Sequence, residues 1–262
     1  MSAIPRAKQS LGQNFLVDEN MARKIVDCIA PQPDEVVLEI GPGMGMITRY
    51  LQQRAKHLFA VEIDQRLYEN LLKKFDEFDN FSLIQSDFLK FDINDVTENQ
   101  KIRIVGNIPY NITSPILFKI IEKRFRVTDL TLLVQKEVGQ RIVSSPNSKD
   151  YGILAILSQA VADVKQLLIV PPTVFQPRPS IDSALIQWRF TENRSSRIKD
   201  ALFFKTLVKQ AFGKRRKMLR NSLIEYVDQT SFDFTRRPEQ LSVDEWIELA
   251  NELTPVQQID KK

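Results

Sequence analysis

The chain holds one cysteine and one histidine among 262 residues, and it has no apolar run approaching the length of a membrane span. Each scarcity removes a class of function. Cys28 alone cannot build an internal disulfide framework, which suits a reducing compartment; on the pattern Met21 to Ile29 it reads as a small buried hydrophobe. His57 opens a strand, and one imidazole with one thiol is too little for a His/Cys metal centre, so no metal site is expected. The same shortage leaves nothing to support a Ser-His-Asp mechanism. Met1 to Ser10 carry no apolar core of the signal-peptide kind, and the expectation is a soluble, cytoplasmic protein with no membrane partner. There is no internal repeat, no low-complexity tract and no zipper, which favours a monomer.

What remains is 43% hydrophobic with a mean hydropathy of −0.24, enough for one large α/β core and a small appended domain. A helix is predicted near Asp18 to Ala30, stopped by Pro31. Apolar runs at Val36, Leu58, Phe81, Ile102, Leu130, Val164 and Ala184 then alternate with helical stretches, which predicts a doubly wound α/β sheet of about seven strands with right-handed crossovers. Leu185 to Phe190 is the last strand, with Trp188 as a packing residue. Thr191 to Ser196 reads as a short polar hinge, so residues 1–191 form the first domain and residues 192–262 a helical second domain around Trp246.

Positive charge is concentrated in one place. Residues 192–220 carry ten Lys or Arg against Glu192 and Asp200, a local net of +8, whereas residues 1–191 net +1 and residues 221–262 net −5. Lys214, Arg215, Arg216, Lys217 and Arg220 are predicted near the start of an amphipathic helix whose apolar side includes Leu219, Leu223 and Tyr226. A short basic run is usually a solvated face. A local excess of this size favours a phosphate-binding surface, whose contacts position a nucleic acid and weaken with salt.

The chemistry lies in four segments of the first domain. Val36 to Ile40 is a strand, and Gly41, Gly43 and Gly45 follow it before a helical pattern near Ile47. Glycines there permit positive φ and close approach of a ligand to the backbone. The dinucleotide spacing G-x-G-x-x-G is not met, because Met46 stands where the last glycine belongs, and no G-K-[ST] follows to make a phosphate-binding loop. Glu62 ends the next strand about twenty residues past Gly41, where a carboxylate can accept both hydroxyls of a ribose; Asp64 competes for that role. Asp87, after Phe81 to Ile84, can accept from the exocyclic amine of an adenine, or can cap a helix.

The fourth segment is Asn107-Ile108-Pro109-Tyr110, at the C-terminal edge of a strand, where open α/β sheets place ligands. An aromatic amine is a poor nucleophile because its lone pair is delocalised into the ring. The Asn107 amide oxygen and the carbonyl of Ile108 or Pro109 could bind its two hydrogens and free that lone pair, while Tyr110 stacks on the base at roughly 1 to 3 kcal/mol. Together the four segments resemble the motif series of S-adenosylmethionine-dependent amino-methyltransferases. Adenine in DNA and the glutamine side chain of a protein are also planar amines; the basic segment argues against glutamine.

The resemblance narrows over nearly the whole chain. Gln9-Ser10-Leu11-Gly12-Gln13-Asn14-Phe15-Leu16, the glycine motif, Asn107 to Tyr110, Val170 to Pro179 and Asp182-Ser183-Ala184 resemble the ribosomal RNA adenine N6,N6-dimethyltransferases. Ala211 to Leu223 and Arg237 to Ser242 resemble the small-subunit branch more than the large-subunit one. The resemblance implies a Rossmann-like methyltransferase sheet, S-adenosylmethionine as cofactor, and small-subunit ribosomal RNA or a 30S pre-particle as partner. Gln13, Asn14, Leu16, Gly41, Glu62, Asp87 and Asn107 would meet the cofactor, with Gly43 and Gly45 in the same loop. Asn107, Pro109 and Tyr110 would form the target-adenine pocket, and Phe175, on a proline-stiffened loop, would close it. A non-catalytic ribosome-assembly factor that binds RNA is the alternative of another kind.

Overall fold

In the computed structural model, residues 7–8, 12–96 and 100–254 are described; Gln9, Ser10 and Leu11 of the N-terminal motif lie outside them. The chain divides into two compact units, residues 1–139 with 163–190, and residues 140–162 with 191–262. The second unit thus resumes where the hinge was expected, but residues 140–162, expected in the first domain, pack with the second.

The first unit is built on strands β2 (Val36–Ile40), β3 (His57–Glu62), β4 (Phe81–Gln85), β5 (Ile102–Asn107), β6 (Val127–Gln135), β7 (Ala162–Val170) and β9 (Ser183–Phe190). All seven expected strands are present, in the order β4-β3-β2-β5-β6-β9-β7. β2, β3, β4, β5 and β6 run parallel, and β9 is antiparallel to β6. The parallel strands read as near-continuous apolar runs because both faces of such a sheet are covered; all five residues of β2 are buried, Glu39 included.

The winding reverses between β2 and β5, and ligand sites of open α/β sheets lie at such a reversal. There the strand ends are in step, Ile40 pairing with Val61 on one side and Gly106 on the other. Helix α1 (Glu19–Ile29) begins at Asp18, whose Oδ1 accepts from the Met21 amide at 2.7 Å, and ends at Ala30 in the left-handed conformation before Pro31. Its buried side, Ala22, Ile25, Val26 and Ile29, joins the apolar cluster against which half-buried Cys28 packs. Helices α2 (Thr48–Gln52), α3 (Gln65–Phe75) and α4 (Thr113–Glu122) follow β2, β3 and β5. A separate two-stranded sheet joins β1 (Phe15–Leu16) to β8 (Phe175–Gln176), with Leu16 opposite Phe175.

Helix α5 (Lys136–Ile142) runs from the first unit into the second, which contains α6 (Ile153–Gln159), α7 (Glu192–Ser195), α8 (Ala201–Phe212) and α9 (Val243–Leu253). The expected polar hinge is in part the one-turn α7, capped by Thr191. α6 packs on α8 and α9, and Trp246, fully buried on α9, lies 6.1 Å from the Phe212 ring. Ser242 and Glu245 start α9 with reciprocal side chain to backbone bonds, and Arg236 holds the Glu245 carboxyl down to about 2.

The expected basic helix is not formed. α8 stops at Gly213, and residues 214–217 turn before two 3-10 segments, Leu219–Asn221 and Ile224–Gln229. The amides of Leu219 and Arg220 are bound by the carbonyls of Arg236 (2.8 Å) and Phe234 (3.0 Å), which takes them out of any helical ladder. Leu219 and Leu223 are buried as expected, through this different backbone path.

Candidate functional site

A cavity of about 290 Å³ lies at the C-terminal edge of the sheet, at the reversal between β2 and β5. Its wall brings together Gln13, Asn14, Leu16, Gly41, Gly43, Glu62, Asp87, Asn107, Pro109 and Tyr110, residues spread over nearly a hundred positions of sequence. Gly45 and Phe175 do not line it. Gly45, at φ +79°, sits behind the loop, where an added Cβ would lie 2.8 Å from the Phe75 ring and 3.0 Å from Leu71; its lack of a side chain lets α3 pack there. Phe175 is 4% exposed, paired with Leu16 and packed into the apolar cluster with Val174. Phe175 thus stands directly opposite Leu16, which does line the cavity.

Gly41 and Gly43 adopt φ of +63° and +60°, and this turn aims the Gly43 amide at Glu62 Oε2, 3.2 Å away. Glu62 Oε1 accepts from the Asp64 amide at 2.8 Å. Burial pushes the Glu62 carboxyl up, and these two backbone donors oppose the shift. Glu62 lines the cavity, and its two oxygens together have more acceptor capacity than these donors use. Asp64 is differently employed: it caps α3, pairs with Arg66 at 2.7 Å and Lys8 at 3.2 Å, and accepts from Gln13 Nε2 at 3.3 Å. Arg66 foremost holds its carboxyl well below the usual range, and Asp64 does not line the cavity. Of the two acids, Glu62 is the one available to a ligand, while Gln13 is tied to Asp64.

Asp87 was expected either to meet an adenine amine or to cap a helix. Its Oδ1 accepts from the Leu89 amide at 2.9 Å, capping a turn rather than a helix, and the residue still lines the cavity.

The Asn107 side chain is oriented by the N-terminal segment. Its Nδ2 donates to the Asn14 carbonyl at 3.2 Å. A carbonyl can only accept, so the amide must turn Nδ2 toward Asn14, and among the described residues no donor binds its Oδ1. The Pro109 carbonyl accepts from the Ile112 amide at 3.2 Å, whereas no such bond reaches the Ile108 carbonyl among the described residues. Of the two carbonyls left open, that of Ile108 is the one without such a bond among the described residues. The Tyr110 hydroxyl lies 2.8 Å from Ser183 Oγ, a fully buried group at the start of β9, and burial raises the Tyr110 pKa.

Glu39 had no role in the sequence reading. It is 2% exposed, lines the cavity, and keeps Oε2 without a hydrogen-bond partner; burial foremost pushes its carboxyl up to about 8, with the Thr48 hydroxyl opposing and Glu62 adding to the shift. An acid inside the run Val36-Val37-Leu38-Glu39-Ile40 was the available signal.

Five basic residues were predicted to bind nucleic acid, and they divide. Arg215 donates to the carbonyl of Lys149 at 2.6 Å and Lys214 to that of Asn221 at 3.2 Å. Arg216, Lys217 and Arg220 are exposed.

Comparison with known proteins decides the family. A family model described as "Ribosomal RNA adenine dimethylase" matches residues 4–254. The chain belongs to the ribosomal RNA adenine dimethylase family. A member from Francisella tularensis subsp. novicida, "Ribosomal RNA small subunit methyltransferase A", is 42% identical over 258 residues, covering 95% of this chain and 98% of that one. Among solved structures, a dimethyladenosine transferase from Plasmodium falciparum superposes with a TM-score of 0.78 at 22% identity, over 90% of this chain and 95% of that one. A 23S rRNA methyltransferase, ErmE, gives 0.68 at 25% identity over 92% and 100%. Members of this dimethylase family use S-adenosylmethionine, and the cavity fits it: Glu62 offers a carboxylate to a diol, the glycine turn brings backbone close, and Glu39 in the same wall has an oxygen without a hydrogen-bond partner among the described residues.

Proposed function

We propose that this dimethylase places two methyl groups on the N6 amine of adenines, two adjacent ones, in small-subunit (16S) ribosomal RNA, and so takes part in ribosome biogenesis. The observation that carries the reading is Asn107, whose Nδ2 is committed to the Asn14 carbonyl so that Oδ1 and the neighbouring Ile108 carbonyl form a pair of free acceptors at the cavity. Such a pair binds the two hydrogens of an exocyclic amine and turns its lone pair out of the ring.

The cofactor supplies an electrophilic methyl group on a sulfonium. Glu62 holds its ribose and Asp87 its adenine amine. On the substrate side, Tyr110 stacks on the extruded adenine with its hydroxyl fixed by Ser183. Asn107 and Ile108 act by placement and fixed dipoles, terms worth several kcal/mol, and no base is needed first because the amine proton becomes acidic only on methylation. Phe175 supports the wall through Leu16.

The small-subunit branch is favoured by the 42% identity to a small-subunit enzyme, against 25% to a 23S enzyme. Arg216, Lys217 and Arg220 contact RNA phosphate, while Lys214 and Arg215 brace the turn that presents them. The partner is the 30S pre-particle, bound by a monomer in the cytoplasm. Labelled S-adenosylmethionine and small subunits lacking their adenine methyl groups test this. Dimethyladenosine in 16S RNA by mass spectrometry is the expected product. Transfer to 23S RNA or DNA alone would move the chain to another substrate, and no transfer would favour the assembly-factor reading.

A further inference from the structure

The turn that carries Asp87 and Phe88 is held from both sides. On one side Asp87 gathers amides: its carbonyl accepts from Lys90 (2.9 Å) and Phe91 (3.0 Å), and its Oδ1 accepts from Leu89 (2.9 Å). On the other side Lys119 gathers carbonyls. Its ammonium donates to Phe88 at 2.7 Å, to Leu89 at 3.0 Å and to Phe91, and it lies 5.2 Å from the centroid of the Phe88 ring. An ammonium has three donors, and here each has a carbonyl. Lys119 belongs to α4, the helix that follows the Asn107–Tyr110 segment, and Ile116, one turn earlier on α4, lines the cavity.

We propose that Lys119 is the positioning residue for the adenine end of the cofactor: it fixes the turn that presents Asp87, and so sets discrimination for a 6-amino purine. This rests on the reading of Asp87 as the adenine contact. Lys119 touches neither cofactor nor substrate; it acts through the turn. A carboxylate oxygen discriminates between an amine and a carbonyl at position 6 only if it is held in place, since a mobile one can withdraw from the carbonyl. Burial lowers the ammonium pKa, while Asp92 and Asp87 oppose that shift; Lys123 adds to it.

The test is calorimetry of the full chain with S-adenosylhomocysteine and with S-inosylhomocysteine, which carries a 6-oxo group instead of the amine. Wild type should prefer the adenosyl ligand. Lys119→Met should weaken adenosyl binding by about tenfold, the scale of lost charge-assisted hydrogen bonds, with little change for the inosyl ligand, so that the preference collapses. Lys119→Arg, which still offers several donors, should keep most of the preference. A Lys119→Met protein that loses both affinities equally, or neither, overturns the proposal. If that variant does not fold, Lys119→Gln replaces it, and an undiminished preference there overturns it equally. A wild type that binds the adenosyl ligand without preferring it overturns the Asp87 reading and the proposal on it, and a wild type that binds neither overturns the cofactor reading itself.

Discussion

The two ends of strand β5 hold buried polar groups of opposite kinds. Arg103 and Asn107 stand four residues apart, about 13 Å along the strand. At Arg103, 6% exposed, every guanidinium donor has an acceptor: Asp129 takes Nε (3.0 Å) and one hydrogen of Nη2 (2.6 Å), the Ile29 carbonyl takes the other (2.7 Å), and the Ala30 carbonyl (3.0 Å) and Glu35 (2.8 Å) share Nη1. Gln187 adds a donor to Asp129 at 3.3 Å. At the other end, Asn107 Oδ1, the Ile108 carbonyl and Glu39 Oε2 have no partner among the described residues. A buried polar network that closes on itself is architecture. One that stops short, at the wall of a cavity, leaves acceptors that a ligand can meet.

That contrast can be broken from either end. Arg103→Met leaves Asp129 buried and unpaired and should cost about 3–5 kcal/mol in denaturant unfolding, while the folded fraction keeps its affinity for S-adenosylhomocysteine. Asn107→Ala should do the reverse: unchanged unfolding, normal RNA binding, and single-turnover methyl transfer slower by about 10²–10³-fold. Glu62→Gln should weaken cofactor binding by about tenfold or more in calorimetry without loss of fold, since a charged acceptor is replaced by a neutral one.

Glu39 sharpens the comparison through pH. Its folded-state pKa is raised to about 8 above an ordinary value of 4.5, so the native state holds a proton that the unfolded chain releases. The stability this confers is complete below the unfolded value and is lost as pH rises through the folded one. Glu39→Gln, neutral throughout, should flatten that decline, exceeding wild type in thermal midpoint at pH 9 and converging with it near pH 5.

The smallest effect belongs to the basic turn. Replacing Arg216, Lys217 and Arg220 by Ala should reduce the slope of log affinity against log salt by about 2 to 3, leaving cofactor affinity unchanged. Lys214→Ala should lower the slope by less than the triple variant does, because it removes one charge, and one of that ammonium's donors is already tied to the Asn221 carbonyl.

What was legible beforehand follows from range. The seven strands, α1, and the segments ending in Glu62, Asp87 and Asn107 are written in runs of a few residues, and all were found. What was missed depends on distant partners. The 140–162 segment looks like part of the first domain until α6 is seen against α8 and α9. The basic helix failed because the Leu219 and Arg220 amides bind Arg236 and Phe234, beyond any local pattern. Glu39 was visible as an acid in an apolar strand, but its unsatisfied oxygen exists only once the sheet has closed around it.

The division of the chain sets an order of events during synthesis. Residues 140–162 emerge with Ala155, Ile156 and Leu157 on a helix whose packing partners α8 and α9 have not yet been made. Trp246 follows Ile156 by ninety residues, an interval of roughly 5 to 20 s at the usual pace of translation. The second unit therefore cannot complete its packing until Trp246 has been made. A chain cut short between Phe190 and Ala201 carries every strand of the sheet but neither α8 nor α9 to cover α6.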